Sequence, residues 1–175
     1  MWFIIMAELL VFGLFFATYA WHRAGQGALF AHEQQHLSLL SGTINTVLLL
    51  LGSMMAAWAA WMAQQADASI ATIRRVMLGA IALGLAFLVL KMVDFAHLQN
   101  SGFDMDTNDF WLFYYSMGMF HYLHVVLGIV ILALVFFQLR HQQRSDLVQV
   151  ETAAAYWHMV DLVWLVLFAL VYVTH

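Results

Sequence analysis

The sequence predicts an all-α fold, a polytopic membrane bundle of five transmembrane helices. Three observations predict it. Of 175 residues, 65% are hydrophobic and only 9% are charged, against about 45–50% and 25% in a soluble domain. The apolar residues gather in five runs, roughly 2–21, 39–63, 76–96, 110–138 and 153–174. Each is long enough to cross about 30 Å of hydrocarbon as a helix. The period-two alternation of barrel strands is absent. No internal repeat is evident, and the connections 22–38, 64–75, 97–109 and 139–152 are short and polar. Residues 1–175 therefore read as a single membrane domain.

The composition also excludes functions. Without cysteine there are no disulfides, thiolate metal sites or cysteine nucleophiles. Without proline no span carries a proline kink. A net charge of −4 and the lack of a basic cluster point away from nucleic acid. Neither a phosphate-binding loop nor a nucleophile–base constellation is visible, and no carboxylate–histidine cluster stands out as a metal site.

The first run has no basic segment before it and carries Glu8 within it. It reads as a retained span starting almost at Met1, and not as a cleaved signal peptide. A carboxyl group in hydrocarbon pairs, takes up a proton, or meets a headgroup or water. Glu8 is thus a candidate for a structural hydrogen bond or for a proton or lipid site.

The second run opens with Thr43, Asn45 and Thr46, which suit interhelical hydrogen bonds. Gly42, Gly52, Gly79, Gly84, Gly118 and Gly128 are notches that would let neighbouring backbones approach. In the third run Lys91 and Asp94 stand three apart, with His97 at its end. The expectation is an intrahelical ion pair near an interface, with Lys91 snorkelling outward. The alternative is docking of an anionic lipid or a partner subunit.

The fourth run, about 29 residues, protrudes or tilts. Its His121 and His124 open a competing reading, a stand-alone membrane haem cytochrome that also uses His158. Axial ligation needs histidines level on two facing helices, so hydrogen bonds to other helices are the expected state. Trp111, Tyr114 and Tyr156 fit an interfacial aromatic belt, and the eleven methionines read as packing filler. A small membrane transporter is a further alternative, disfavoured by the absence of proline-interrupted spans.

In the fifth run His158 and Asp161 stand three apart and share a face. Glu151, seven before His158, falls within about 20° of it. A charge within hydrocarbon costs about 2.5–3.5 kcal/mol on insertion scales. This face must therefore meet protein, headgroup or water. Arg74, Arg75, Arg140 and Arg144 flank two connections on one side, against Arg23 alone on the other. The basic side is cytoplasmic, which puts the N-terminus in the cytoplasm and the C-terminus outside, in the periplasm of a bacterial inner membrane.

Tyr156-Trp157-His158-Met159-Val160-Asp161-Leu162-Val163-Trp164 closely resembles the final-helix signature of the haem-copper oxidase (cytochrome c oxidase) subunit III family. Four further segments resemble the family in the same order. They are Met6-Ala7-Glu8-Leu9-Leu10-Val11-Phe12-Gly13, Gly42-Thr43-Ile44-Asn45-Thr46-Val47-Leu48-Leu49, Lys91-Met92-Val93-Asp94-Phe95 and Phe120-His121-Tyr122-Leu123-His124-Val125-Val126-Leu127-Gly128. Asp94 stands where Glu is commoner, and Tyr122 replaces a small residue. The matches run from about residue 2 to 174 and resemble the five-span form. That form includes quinol oxidase subunit III and the NorE-type protein associated with nitric oxide reductase, the latter being most similar in shortness.

The resemblance implies a V-shaped, two-arm bundle, with spans one and two as one arm and three to five as the other. It implies a non-catalytic subunit beside a haem-copper catalytic subunit. Haem, copper or iron would sit only in that partner, and phospholipids in the cleft. Glu8 matches the family's carbodiimide-reactive glutamate, and the implied role is sustaining proton uptake and stabilising the partner's metal centre. Together with the polar constellations, this marks Glu8, Lys91, Asp94, His121, His124, Glu151, His158 and Asp161 as lipid- or proton-related positions. Trp157, Trp164, Gly118 and Gly128 are marked as interface packing.

Overall fold

The computed structural model describes residues 2–65, 67, 69–139 and 147–174. Arg140 and Arg144, used above for orientation, lie outside them. Among the described residues six helices follow one another: α1 (Trp2–Gly25), α2 (Gly27–Gln34), α3 (Leu39–Gln64), α4 (Ile70–Asn100), α5 (Asp109–Gln138) and α6 (Leu147–Phe168). A π-helical turn, Ala169–Val173, continues α6. No strand occurs among the described residues. Five of the helices are long and apolar enough to cross a membrane. The exception is α2, which lies in a connection expected to be loop. The third span is longer than hydropathy suggests, at 31 residues, and Arg74 and Arg75 lie inside it.

Local chemistry sets the helix ends. Ser38 Oγ accepts from Ser41 N at 3.2 Å ahead of α3, and Asn108 Oδ1 accepts from Trp111 N at 3.2 Å ahead of α5. Each cap satisfies a backbone donor that has no partner within its helix. Past α4, Gly102 adopts φ +87°. There Phe103 N donates to Leu98 O at 3.1 Å and Gly102 N to Gln99 O at 3.0 Å. This pair of bonds closes a helix when the residue after the cap is left-handed, a conformation glycine adopts without a Cβ penalty.

The last helix is the hub, packing against α1, α3 and α5, while α4 closes the ring between α3 and α5. This corrects the expected arms. Among the described residues the first span packs chiefly on α5 and α6 and has little contact with α3, so spans one and two form no separate arm. One helix explains why: α6 inserts Trp157 and Trp164 into the bundle, both 1% exposed or less.

The glycine notches receive rings more than backbones. A Cβ on Gly84 would lie 2.5 Å from Trp157 Cη2, one on Gly128 3.0 Å from Trp157 Cε3, and one on Gly52 3.6 Å from Trp157 Cζ2. Two helices thus each give up a side chain where one indole sits, and Gly52 on a third borders it at ordinary contact distance. Gly118 faces Phe95, and Gly42 faces Phe168 and Tyr172. Trp157, Trp164, Gly118 and Gly128 therefore pack helix on helix inside the chain. The belt reading also fails for three residues: Trp111, Tyr114 and Tyr156 are all at most 2% exposed. The tryptophans left on the outer surface are Trp2, Trp21, Trp58 and Trp61.

Candidate functional site in the bundle interior

Polar groups from all five spans lie inside the bundle. Glu8 Oε2 of α1 lies 2.9 Å from His124 Nε2 of α5. The other imidazole nitrogen, Nδ1, is 2.7 Å from Phe120 O. A carbonyl only accepts, so Nδ1 carries a hydrogen and donates. The 2.9 Å contact then needs a further proton, on Glu8 or on Nε2. In either arrangement the pair has no net charge, the state that costs least in hydrocarbon. His124 is thus tied to another helix, as expected.

His121, one turn earlier, is not. It is 1% exposed, and neither ring nitrogen has a partner among the described residues. Its surroundings explain this. The ring lies 5.2 Å from Trp164, 5.9 Å from Phe87 and 6.4 Å from Phe12. The neighbouring helices present it with ring faces and edges and no polar partner.

Lys91 points into the protein. It is 1% exposed, which overturns the snorkelling expectation. Its Nζ donates to Tyr114 Oη at 3.0 Å and Tyr172 Oη at 3.1 Å. It also lies 4.7 Å from the ring centres of Phe95 and Tyr114, 5.4 Å from Trp164 and 5.5 Å from Tyr172. Four ring faces and two phenols surround one ammonium. Each ring contributes about 0.5–2 kcal/mol where water is excluded.

Asp94 turns to α3 instead. Ser41 Oγ donates to its carboxylate, at 2.7 Å from Oδ1 and 2.6 Å from Oδ2, and Asn45 Nδ2 donates to Oδ2 at 3.2 Å. No ion pair joins Lys91 and Asp94 among the described residues. Two side chains three apart have found different neighbours, rings on α5 and α6 for one and hydroxyl and amide donors on α3 for the other. A cavity of about 90 Å³ opens beside them, lined by Ser41, Asp94, His36, His97, Tyr114 and Tyr172. Of the expected interhelical bonds on α3, Asn45 makes one, and Thr46 Oγ1 accepts from Trp164 Nε1 at 2.9 Å. Thr43 is exposed and bonds within its own helix, donating to Leu39 O.

The α6 face divides. Asp161 is buried, with Oδ1 unpartnered among the described residues. His158 is exposed and its Nδ1 lies 2.6 Å from Ser53 Oγ. Together with exposed Glu151 and Trp61 it lines a groove of about 330 Å³ between α3 and α6. A neighbouring hollow of about 170 Å³ runs from Glu151 to Trp2 and Ile5 of α1. The groove between α1 and α3 therefore has α6 as its floor.

With His124 engaged at both nitrogens, His121 enclosed by rings and His158 bonded to Ser53, the three do not converge as a haem-binding pair. Whole-chain comparison agrees with a different assignment. The model of the family "Cytochrome c oxidase subunit III" matches residues 1–175.

The chain belongs to the cytochrome c oxidase subunit III family.

It is therefore a multi-pass membrane protein. It is 30% identical over 171 residues to cytochrome c oxidase subunit 3 of Synechocystis, covering 96% of this chain and 71% of that one. It is 27% identical over 175 residues to a probable quinol oxidase subunit 3 of Staphylococcus epidermidis, covering 98% and 85%. A haem-copper oxidase subunit I+III of Aeropyrum pernix is 28% identical over 180 residues, covering 98% of this chain and 22% of the longer protein.

The structure also gathers residues that the sequence reading passed over. His32, Glu33 and His36 bring three ligand atoms within 4.8 Å of one another. The signal was present as the string His32-Glu33-Gln34-Gln35-His36. It lay in a segment read as loop, where a four-residue spacing carries no meaning. At the same end, Arg23 donates to Thr174 Oγ1 and to Thr174 O, each at 2.6 Å, and to Leu170 O at 3.2 Å. Gln34 Nε2 donates to Val171 O at 3.0 Å. These side chains satisfy carbonyls at the end of α6 that lack partners within the helix, and a cation there complements the helix dipole.

Proposed function

We propose that the chain is a non-catalytic subunit of a haem-copper oxidase. It packs beside the catalytic subunit in a bacterial cytoplasmic membrane, N-terminus inside and C-terminus in the periplasm. The observation that carries this reading is the family match over the whole chain. The interior supports it: Glu8, His124, Lys91 and Asp94 each bond to a different helix from their own, the behaviour of groups that fix a bundle. The name of the Aeropyrum protein joins subunits I and III in one polypeptide, which favours a subunit I-type partner. The relatives' names also favour an oxygen-reducing partner over the nitric oxide reductase of the NorE-type resemblance.

Pull-down of the tagged chain from native membranes in mild detergent tests this. A haem-bearing subunit is expected in the eluate, with an optical spectrum belonging to that subunit. A chain that came out alone and coloured would reinstate the cytochrome reading. One that came out alone and colourless would leave the fold without its partner.

Within the complex, the groove over α6 holds a phospholipid, with Glu151 and His158 at its headgroup and Trp2 and Trp61 at its rim. The Glu8–His124 pair tunes proton uptake nearby. Glu8→Gln keeps a hydrogen bond, amide N–H to Nε2, but has no exchangeable carboxyl proton. It is expected to fold normally and to slow proton uptake or shorten the turnover lifetime of the holoenzyme. Glu8→Leu leaves Nε2 without a partner and destabilises by about 1–3 kcal/mol. Unchanged turnover lifetime, lipid content and uptake kinetics in Glu8→Gln would remove Glu8 from the mechanism.

A further inference from the structure

The string His32-Glu33-Gln34-Gln35-His36 lies outside the bundle interior, in the connection between the first two spans. Two histidines four apart share a helical face, and that spacing can chelate a zinc-class ion. Here α2 ends at Gln34 and the chain tightens. Gln35 N donates to His32 O at 3.3 Å, and His36 N to Glu33 O at 3.1 Å. The tight turn keeps the two imidazoles together, with ring centres 5.6 Å apart. His32 Nδ1 lies 3.6 Å from Glu33 Oε1. Ligand atoms around a tetrahedral zinc ion stand about 3.4 Å apart, given bonds of about 2.0–2.1 Å. Closing the set from within 4.8 Å to about 3.4 Å shortens the longest separation by at most about 1.4 Å.

Surrounding groups orient the ligands. Trp111 Nε1 donates to Glu33 Oε2 at 2.8 Å, which leaves Oε1 on the histidine side. The His36 ring packs 4.6 Å from Phe103, and Phe103 stacks 4.8 Å from Trp111. Buried Gln34, bonded to the end of α6, fixes the rotation of α2. Support of this kind is what holds metal ligands in place. Both imidazoles are exposed, so an ion can reach them.

We propose that His32, Glu33 and His36 bind one divalent transition-metal ion of the zinc class. Two imidazole nitrogens and one carboxylate oxygen suit that class. Three protein ligands leave a fourth position for water. Glu33 is a ligand and not a general base, because its Oε1 sits within the ligand set. The bound ion fixes the turn after α2, whose His36 ring packs on Phe103 of the connection between α4 and α5.

The test uses the full chain in detergent, purified through a histidine-free tag and stripped with a chelator. It is titrated with Zn²⁺ against a chromophoric chelator, and separately with Co²⁺ for its visible d–d bands. The expected result is one Zn²⁺ per chain in the micromolar range or tighter, and a tetrahedral Co²⁺ spectrum. His32→Ala and His36→Ala each weaken binding by at least about tenfold, as does Glu33→Gln. The double histidine variant abolishes the Co²⁺ bands, while His22→Ala and His97→Ala leave them unchanged. Both target imidazoles are exposed, and helical circular dichroism confirms that the variants fold. Stoichiometric binding that survives in the double variant, or no binding by the unaltered chain, overturns the proposal.

Discussion

Trp157→Ala is expected to cost about 3–5 kcal/mol, the range for deleting a buried indole. The reason is local. The ring fills a space made by the missing side chains of Gly84 and Gly128 and borders Gly52. Removing it leaves contacts on α3, α4 and α5 without a counterpart. In lipid the gain from packing comes from close contact and not from excluding water, so nothing else fills the gap. Thermal unfolding in detergent measures the loss. The complementary change, Gly84→Val, drives a branched side chain at an indole that has no room to retreat, and should be at least as damaging as ordinary overpacking, about 1–3 kcal/mol. If Trp157→Ala melted within a degree or two of the parent, the glycine notch around the indole would not organise the bundle.

The second large effect concerns Lys91. Tyr114→Phe or Tyr172→Phe alone removes one of two hydrogen bonds to a charged group, worth about 1.5–3 kcal/mol. Making both changes leaves a buried ammonium with ring faces alone, and the cost should reach about 3–5 kcal/mol. Adding Lys91→Met to the double variant removes the charge that needed the phenols, and should recover much of the loss. Unfolding measurements on the parent, Lys91→Met alone, the double tyrosine variant and the triple variant form a cycle that isolates the coupling between the charge and the phenols. No recovery on adding Lys91→Met would mean that the phenols act through packing and not through the ammonium.

The five spans were legible because hydropathy over twenty residues reports the cost of backbone and side chains in lipid directly. The direction of Lys91 was not. A separation of three residues says that Lys91 and Asp94 share a side of α4, but not that tyrosines from α5 and the end of α6 stand on one flank and Ser41 on the other. Glu8 was legible as a group needing an answer, and His124 became its partner only once α1 was seen against α5. Placing α1 with α3 in one arm failed for a similar reason. Adjacency along the chain is a weak guide where Trp157 and Trp164 make the last span the hub. His32, Glu33 and His36 were missed because their spacing has meaning only on a helical turn.

The clasp between Arg23 and Thr174 joins residues 151 positions apart. Its consequence concerns biosynthesis. The first span enters the bilayer long before the carbonyls that will hold its end have been translated. Its interior partners on α5 also come late, so α1 waits unpaired in lipid while α3 and α4 associate. A ribosome that stalls before α6 leaves a chain whose first span has α5 but not α6 to dock on and whose Arg23 lacks the acceptors at Leu170 and Thr174. Such a product differs visibly from the finished protein to any membrane protease that recognises loose spans. The same latch that closes the fold therefore forms only once translation has passed Thr174.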